Sequence, residues 1–117
     1  MIKQFFDLWG LKYDEASDGQ QAVDLARKNK YDIIYIDVHM PVMDGYEATR
    51  KIRRFKKYKN TPIIALTADI TNGIQKEVNS GLFTDKEIKP IDPDKFYKNM
   101  VDIISETRIK NETLSDS

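Results

Sequence analysis

Apolar positions along the chain follow two rhythms. Ile2, Phe5, Phe6 and Trp9 recur at helical spacing, as do Ala22, Val23, Leu25 and Ala26, then Ala48 and Ile52. Phe96, Met100, Val101, Ile103 and Ile104 repeat the pattern near the end. Apolar residues at i, i+3 and i+4 mark one buried helix face. Between these helices stand short apolar runs, residues 33–37 and 61–67, bounded by turn residues. Runs of that length read as strands buried on both faces.

The punctuation agrees. Gly10 stops the first helix, and residues 11–15 read as a short extended segment. Ser17-Asp18-Gly19-Gln20 reads as a capping box for a helix ending near Asn29-Lys30. Helix 46–55 follows the first apolar run. Pro62 opens the second, where a missing donor is tolerated. A weaker helix over 70–80, interrupted by Asn72-Gly73, stops at Gly81. Residues 82–89 read as a polar strand. Asp92 and Pro93 supply the N-cap and first residue of the last helix. The expected organisation is one domain over residues 1–106 and a frayed polar tail over 107–117. Strands alternating with helices predict an α/β fold, a doubly wound parallel sheet with helices on both faces.

Composition narrows the function. With 19 Lys+Arg against 19 Asp+Glu, the 117-residue chain has no global field for nucleic acid or an acidic membrane. It has no cysteine, which excludes disulfides and thiolate metal sites. No apolar segment is long enough to span a bilayer, and the N-terminus lacks a signal-peptide pattern. Cytoplasmic residence, with neither a membrane nor a direct nucleic-acid partner, is the expectation.

Three functional groups fall at strand ends: Asp37, Thr67 and Lys89. In an open parallel sheet, ligands bind beyond the carboxyl ends of the strands. A carboxylate, a hydroxyl and an ammonium around one point suit a phosphoryl group. The carboxylate attacks phosphorus, the hydroxyl donates a hydrogen bond to a phosphoryl oxygen and the ammonium offsets charge.

Three stretches carry a family resemblance: Ile36-Asp37-Val38-His39-Met40-Pro41-Val42-Met43-Asp44-Gly45, then Ala65-Leu66-Thr67-Ala68, then Lys89-Pro90. With them the chain resembles the receiver domain of two-component response regulators over about residues 1–105, most nearly receivers attached to hybrid sensor kinases. The resemblance implies a flavodoxin-like fold and a phosphorelay signalling module rather than an enzyme, within a parent such as a hybrid histidine kinase. It implies that Asp37 accepts a phosphoryl group from a histidine kinase or a histidine phosphotransfer domain. Thr67 would bind the incoming group and Lys89 would pair with it. Mg2+ is the implied cofactor, held by Asp37 and the backbone carbonyl of His39. Lys89-Pro90 would be a cis peptide.

The departures carry their own expectations. The family's first strand, with its metal-binding acidic pair, has no counterpart before residues 1–9, which match the second half of the family's first helix. A fold lacking that strand exposes unpaired amides, at about 1–3 kcal/mol each where buried. The expected repair is a rearranged sheet, with residues 11–15 sliding to pair with 33–37, or a homodimer that exchanges elements. Magnesium would bind weakly or not at all, and phosphorylation would be impaired. The family's aromatic switch position is occupied by Lys86, which cannot fill the same apolar pocket. A phosphorylation-independent interaction module, a pseudo-receiver, is therefore the alternative.

Other readings fare less well. A hydrolase of the haloacid dehalogenase type needs a second Asp two residues after its nucleophile, where this chain has His39. Asp44 reads as a helix cap. The basic run Arg53-Arg54-Phe55-Lys56-Lys57-Tyr58-Lys59 reads as a solvated helix end, where cations offset the helix dipole, ahead of a nucleic-acid grip.

Overall fold

The computed structural model describes residues 2–40, 42–68 and 72–115. Its elements in chain order are α1 (Ile2–Leu8), α2 (Gly19–Lys28), β1 (Ile34–Asp37), α3 (Gly45–Arg53), a 3-10 turn (Lys56–Tyr58), β2 (Ile63–Thr67), α4 (Asn72–Asn79), β3 (Asp85–Ile88) and α5 (Pro93–Ser115). Short polar side chains open three of the helices. Asp18 accepts from the Gln21 backbone N–H at 2.8 Å, Asp44 from that of Glu47 at 2.9 Å, and Asp92 from that of Asp94 at 3.0 Å. The capping pair of α2 is thus Asp18 with Gln21, one residue later than the expected box. The Gln21 side chain reaches back to the Ser17 hydroxyl at 2.8 Å. The expected start of the α4 helix, Ile70, lies outside the described residues.

The sheet is parallel, in the order β1-β2-β3, with Ile36 opposite Ala65 and Ala65 opposite Lys86. Central β2 is buried at all five positions, as its unbroken apolar run requires. On one face Val23, Ile36, Ala48, Ile52, Ile74 and Phe83 form the larger core beneath α2, α3 and α4. On the other, Leu66, Ile91 and Phe96 pack with Phe5, Phe6, Trp9 and Tyr35 beneath α1 and α5. Helices therefore cover both faces, as the alternation predicts.

One expectation needs correction. Residues 11–16 form no strand and do not slide across to β1, whose outer edge is unpaired among the described residues. The segment lacks the apolar alternation that would reward such a move, and its polar groups are engaged elsewhere. The Tyr13 hydroxyl donates to Asp7 at 2.9 Å, and the Tyr31 hydroxyl donates to Asp14 at 2.5 Å. At the other end, α5 runs from Pro93 to Ser115. No proline or glycine follows Pro93, so nothing in the sequence breaks the backbone ladder.

Gly45 fixes the height of α3 against β1. A Cβ there would lie 2.4 Å from the Asp37 carbonyl oxygen and 2.7 Å from the Val38 Cα. Both neighbours are backbone, so neither can rotate away. Gly45→Ala should therefore destabilise the domain by about 1–3 kcal/mol, the usual cost of overpacking, measured by urea unfolding. The Asp37 backbone is what must move.

Candidate functional site

β1, β2 and β3 end side by side, carrying Asp37, Thr67 and, one residue past β3, Lys89. The Val38 N–H donates to the Leu66 carbonyl at 3.2 Å, and the Lys89 N–H to the Thr67 carbonyl at 2.8 Å. These bonds lock the three ends in step. The Lys89 Nζ donates to Asp37 Oδ2 at 2.6 Å, and both side chains are about one-third exposed (34% and 33%). Thr67, at the end of the middle strand, is buried. The Lys89-Pro90 peptide is cis.

Burial alone would push the Asp37 carboxyl up. The hydrogen bond from Lys89, the backbone N–H of His39 and the nearby positive charge outweigh it and hold the carboxyl below its usual range. Asp37 is therefore ionised at neutral pH. The His39 N–H donates to Asp37 Oδ1 at 2.9 Å, a contact separate from the metal-ligand role expected of the His39 carbonyl. The signal was available: a residue two past an Asp commonly donates its N–H back to that carboxylate.

Val42 was also missed. Its φ is +69° and it is 83% exposed in the loop after β1. A β-branched residue in the left-handed region is strained, at about 1–3 kcal/mol. Val42→Gly should raise the unfolding free energy by about 1 kcal/mol, measured by thermal or urea unfolding.

Lys86 is bonded toward α4. It is half-buried, and its Nζ donates to Gln75 Oε1 at 2.9 Å, tying β3 to α4. The basic run is more structural than a solvated end. Arg53 donates to the carbonyls of Tyr58, Thr61 and Leu82 at 2.8, 2.6 and 3.0 Å. Lys57 donates to the carbonyls of Arg27 and Asn29, each at 2.8 Å.

A parallel sheet covered on both faces, with an aspartate–lysine pair at its carboxyl end beside a buried threonine, places the chain in the class of doubly wound α/β domains with polar groups at the carboxyl ends of the strands. The model of the response regulator receiver domain matches residues 1–101, and the chain belongs to that family. It is 37% identical over 95 residues to the transcriptional regulatory protein SrrA of Staphylococcus aureus, covering 80% of this chain and 37% of that one. It is 39% identical over 83 residues to the sensor protein EvgS of Escherichia coli K12, covering 70% of this chain and 7% of that one. The chain thus spans about half or less of the curated relatives it matches; the ycf29 regulator of Porphyra purpurea is covered over 54% of its length. Among solved structures, the receiver domain of the sensor histidine kinase PA1611 of Pseudomonas aeruginosa superimposes with a TM-score of 0.81 at 33% identity, over 89% of this chain and 85% of that one. That structure is described with a magnesium ion coordinated in its active-site cleft.

Magnesium takes oxygen ligands in near-ideal octahedral geometry, keeping several waters and binding proteins through one or two carboxylates. The cleft offers one side-chain carboxylate, Asp37, and both of its oxygens already accept hydrogen bonds. Among the described residues, no three His, Asp or Glu side chains gather around a metal-sized space. No helix among the described residues is long and apolar enough to cross a membrane.

Proposed function

We propose that the chain is a phosphorelay receiver module in which Asp37 is the phosphoryl acceptor and Thr67 and Lys89 are its partners. The observation that carries this is the 2.6 Å contact between Lys89 Nζ and Asp37 Oδ2 at the carboxyl end of the sheet. The donor would be the phosphohistidine of a histidine kinase or of a histidine phosphotransfer domain. An Asp37 oxygen attacks phosphorus and a P–O bond forms. The P–N bond breaks, and its electron pair leaves with the imidazole nitrogen. The Thr67 hydroxyl donates to a phosphoryl oxygen, and the Lys89 ammonium offsets the charge gathered on the acyl phosphate. The module accepts the group as a signal and does not turn over a substrate.

Slow transfer is the expected behaviour, because among the described residues Lys89 is the one cationic side chain bonded to the carboxylate that meets the incoming anion. The test is labelling by acetyl phosphate and by a phosphorylated histidine kinase, with and without magnesium. The expected result is weak labelling that magnesium raises little and that Asp37→Asn abolishes. Fast, strongly magnesium-dependent labelling would overturn the slow-transfer reading, and labelling that survives Asp37→Asn would overturn the acceptor.

The Lys86–Gln75 bond favours a second reading, a phosphorylation-independent interaction module. It fastens α4 to β3 with no aromatic at that position to move. Partner binding unchanged in Asp37→Ala would support it. The outer edge of β1, unpaired among the described residues, supports element exchange between two chains. A monodisperse monomer in light scattering would remove that proposal.

A further inference from the structure

The strand ends opposite Asp37 carry a groove that phosphoryl acceptance does not use. Two adjoining hollows of about 290 and 350 Å³ share Lys59, Asn60, Thr61, Pro62 and Thr107. They run along the entry to β2, between the 3-10 turn and α5. The groove joins cations distant in sequence. Lys30 Nζ donates to the Lys57 carbonyl at 2.6 Å and to the Thr61 hydroxyl at 3.1 Å. Lys30, Lys57 and Arg53 are thus occupied with carbonyls and form the frame. Lys56 and Lys59 are exposed and have no side-chain partner among the described residues. These two ammoniums remain available at the rim.

We propose that this groove docks an acidic polypeptide segment in which an apolar residue stands among the carboxylates. The lining selects that chemistry over a nucleic-acid strand. Ile104 gives the groove an apolar floor, while Asp32 and Glu106 interrupt the positive lining and would repel an unbroken run of phosphates. Single-strand binders stack bases on exposed aromatic rings. Here Tyr58 is fully buried, and its hydroxyl donates to the Ala26 carbonyl at 2.7 Å, so no stacking platform faces the groove. Carboxylates of a peptide meet Lys56 and Lys59, an apolar side chain covers Ile104, and peptide amides meet Asn60 and Thr107. Charge pairs of this kind govern encounter and specificity more than raw affinity, so docking is salt-sensitive. The proposal stands apart from the acceptor role of Asp37.

The test is fluorescence anisotropy of a labelled peptide alternating Glu and Leu, with a labelled oligothymidylate of similar length as the competing probe. Wild-type protein should bind the peptide at low salt more tightly than the oligothymidylate. The double variant Lys56→Glu/Lys59→Glu should weaken peptide binding about tenfold or more, as reversal of two rim charges does. Lys98→Glu, a charge reversal outside the groove, should leave it unchanged. Circular dichroism checks that the double variant folds, and Lys59→Gln replaces it if the melt falls. No binding of the peptide by wild type, equal loss in Lys98→Glu, no loss in the groove variants, or tighter binding of the oligothymidylate would each overturn the proposal.

Discussion

Phe96→Ala should lower the unfolding free energy by about 3–5 kcal/mol and the melting temperature by roughly 10–20 °C. Phe96 is fully buried and is the hub of the smaller core. Its ring lies 4.7 Å from that of Tyr35, 6.0 Å from Trp9, and 6.3 and 6.1 Å from Phe5 and Phe6. One side chain thus ties α1, β1 and α5 together. Truncation removes its own buried area and leaves a hole that these rings, fixed on β1 and on α1 and its C-terminal end, cannot all move to fill. A domain of this size has about 5–15 kcal/mol in total, so the loss is a large part of it. Urea unfolding of the two proteins measures it. A change under about 1 kcal/mol would mean that the α1–α5 layer is not packed as described.

Lys89→Met should slow phosphoryl transfer to Asp37 by about 10²–10³-fold, the usual cost of removing one preorganised charge from a transferring group. It should also flatten the acid limb of stability. The Asp37 carboxyl is held below its unfolded value, so its contribution is fully present above the unfolded pKa of about 3.9 and is lost as pH falls through the native value. Without Lys89 the burial of Asp37 is unopposed by that ammonium, and its carboxyl rises. The melting temperature of wild type should therefore fall more between neutral pH and pH about 3 than that of the variant. Parallel curves would mean that the pair contributes nothing to folding. An unchanged transfer rate would remove Lys89 from the chemistry.

Much of this was legible in the residues, for physical reasons. The run 33–37 is too short for a helix and too apolar for a loop, so the strand that delivers Asp37 follows from length and burial alone. Asp44 and Asp92 announced their helices because short carboxylates before an apolar period satisfy free N–H groups. The neighbouring placement of Asp37 and Lys89 was legible because polar groups stand at the ends of successive strands of a parallel sheet. What stayed hidden depends on distance in space. Nothing local marks Arg53 as the donor to carbonyls at 58, 61 and 82, and in sequence it reads as one more cation in a basic run. The Lys86–Gln75 bond likewise joins two elements whose packing no periodicity reports. Residues 11–15 misled in the opposite sense, because extended character is only half of a strand, and the other half is a neighbour that rewards the ladder.

The most direct measurement identifies the residue that carries the phosphoryl group. After long incubation with a phosphorylated histidine kinase, borohydride reduction converts an aspartyl phosphate to homoserine, which peptide mass spectrometry places in the sequence. Homoserine at position 37, absent from Asp37→Asn and reduced in Lys89→Met, is the expected result. Homoserine at another aspartate, or none anywhere while the donor remains phosphorylated, would contradict the assignment of the cleft as the acceptor site.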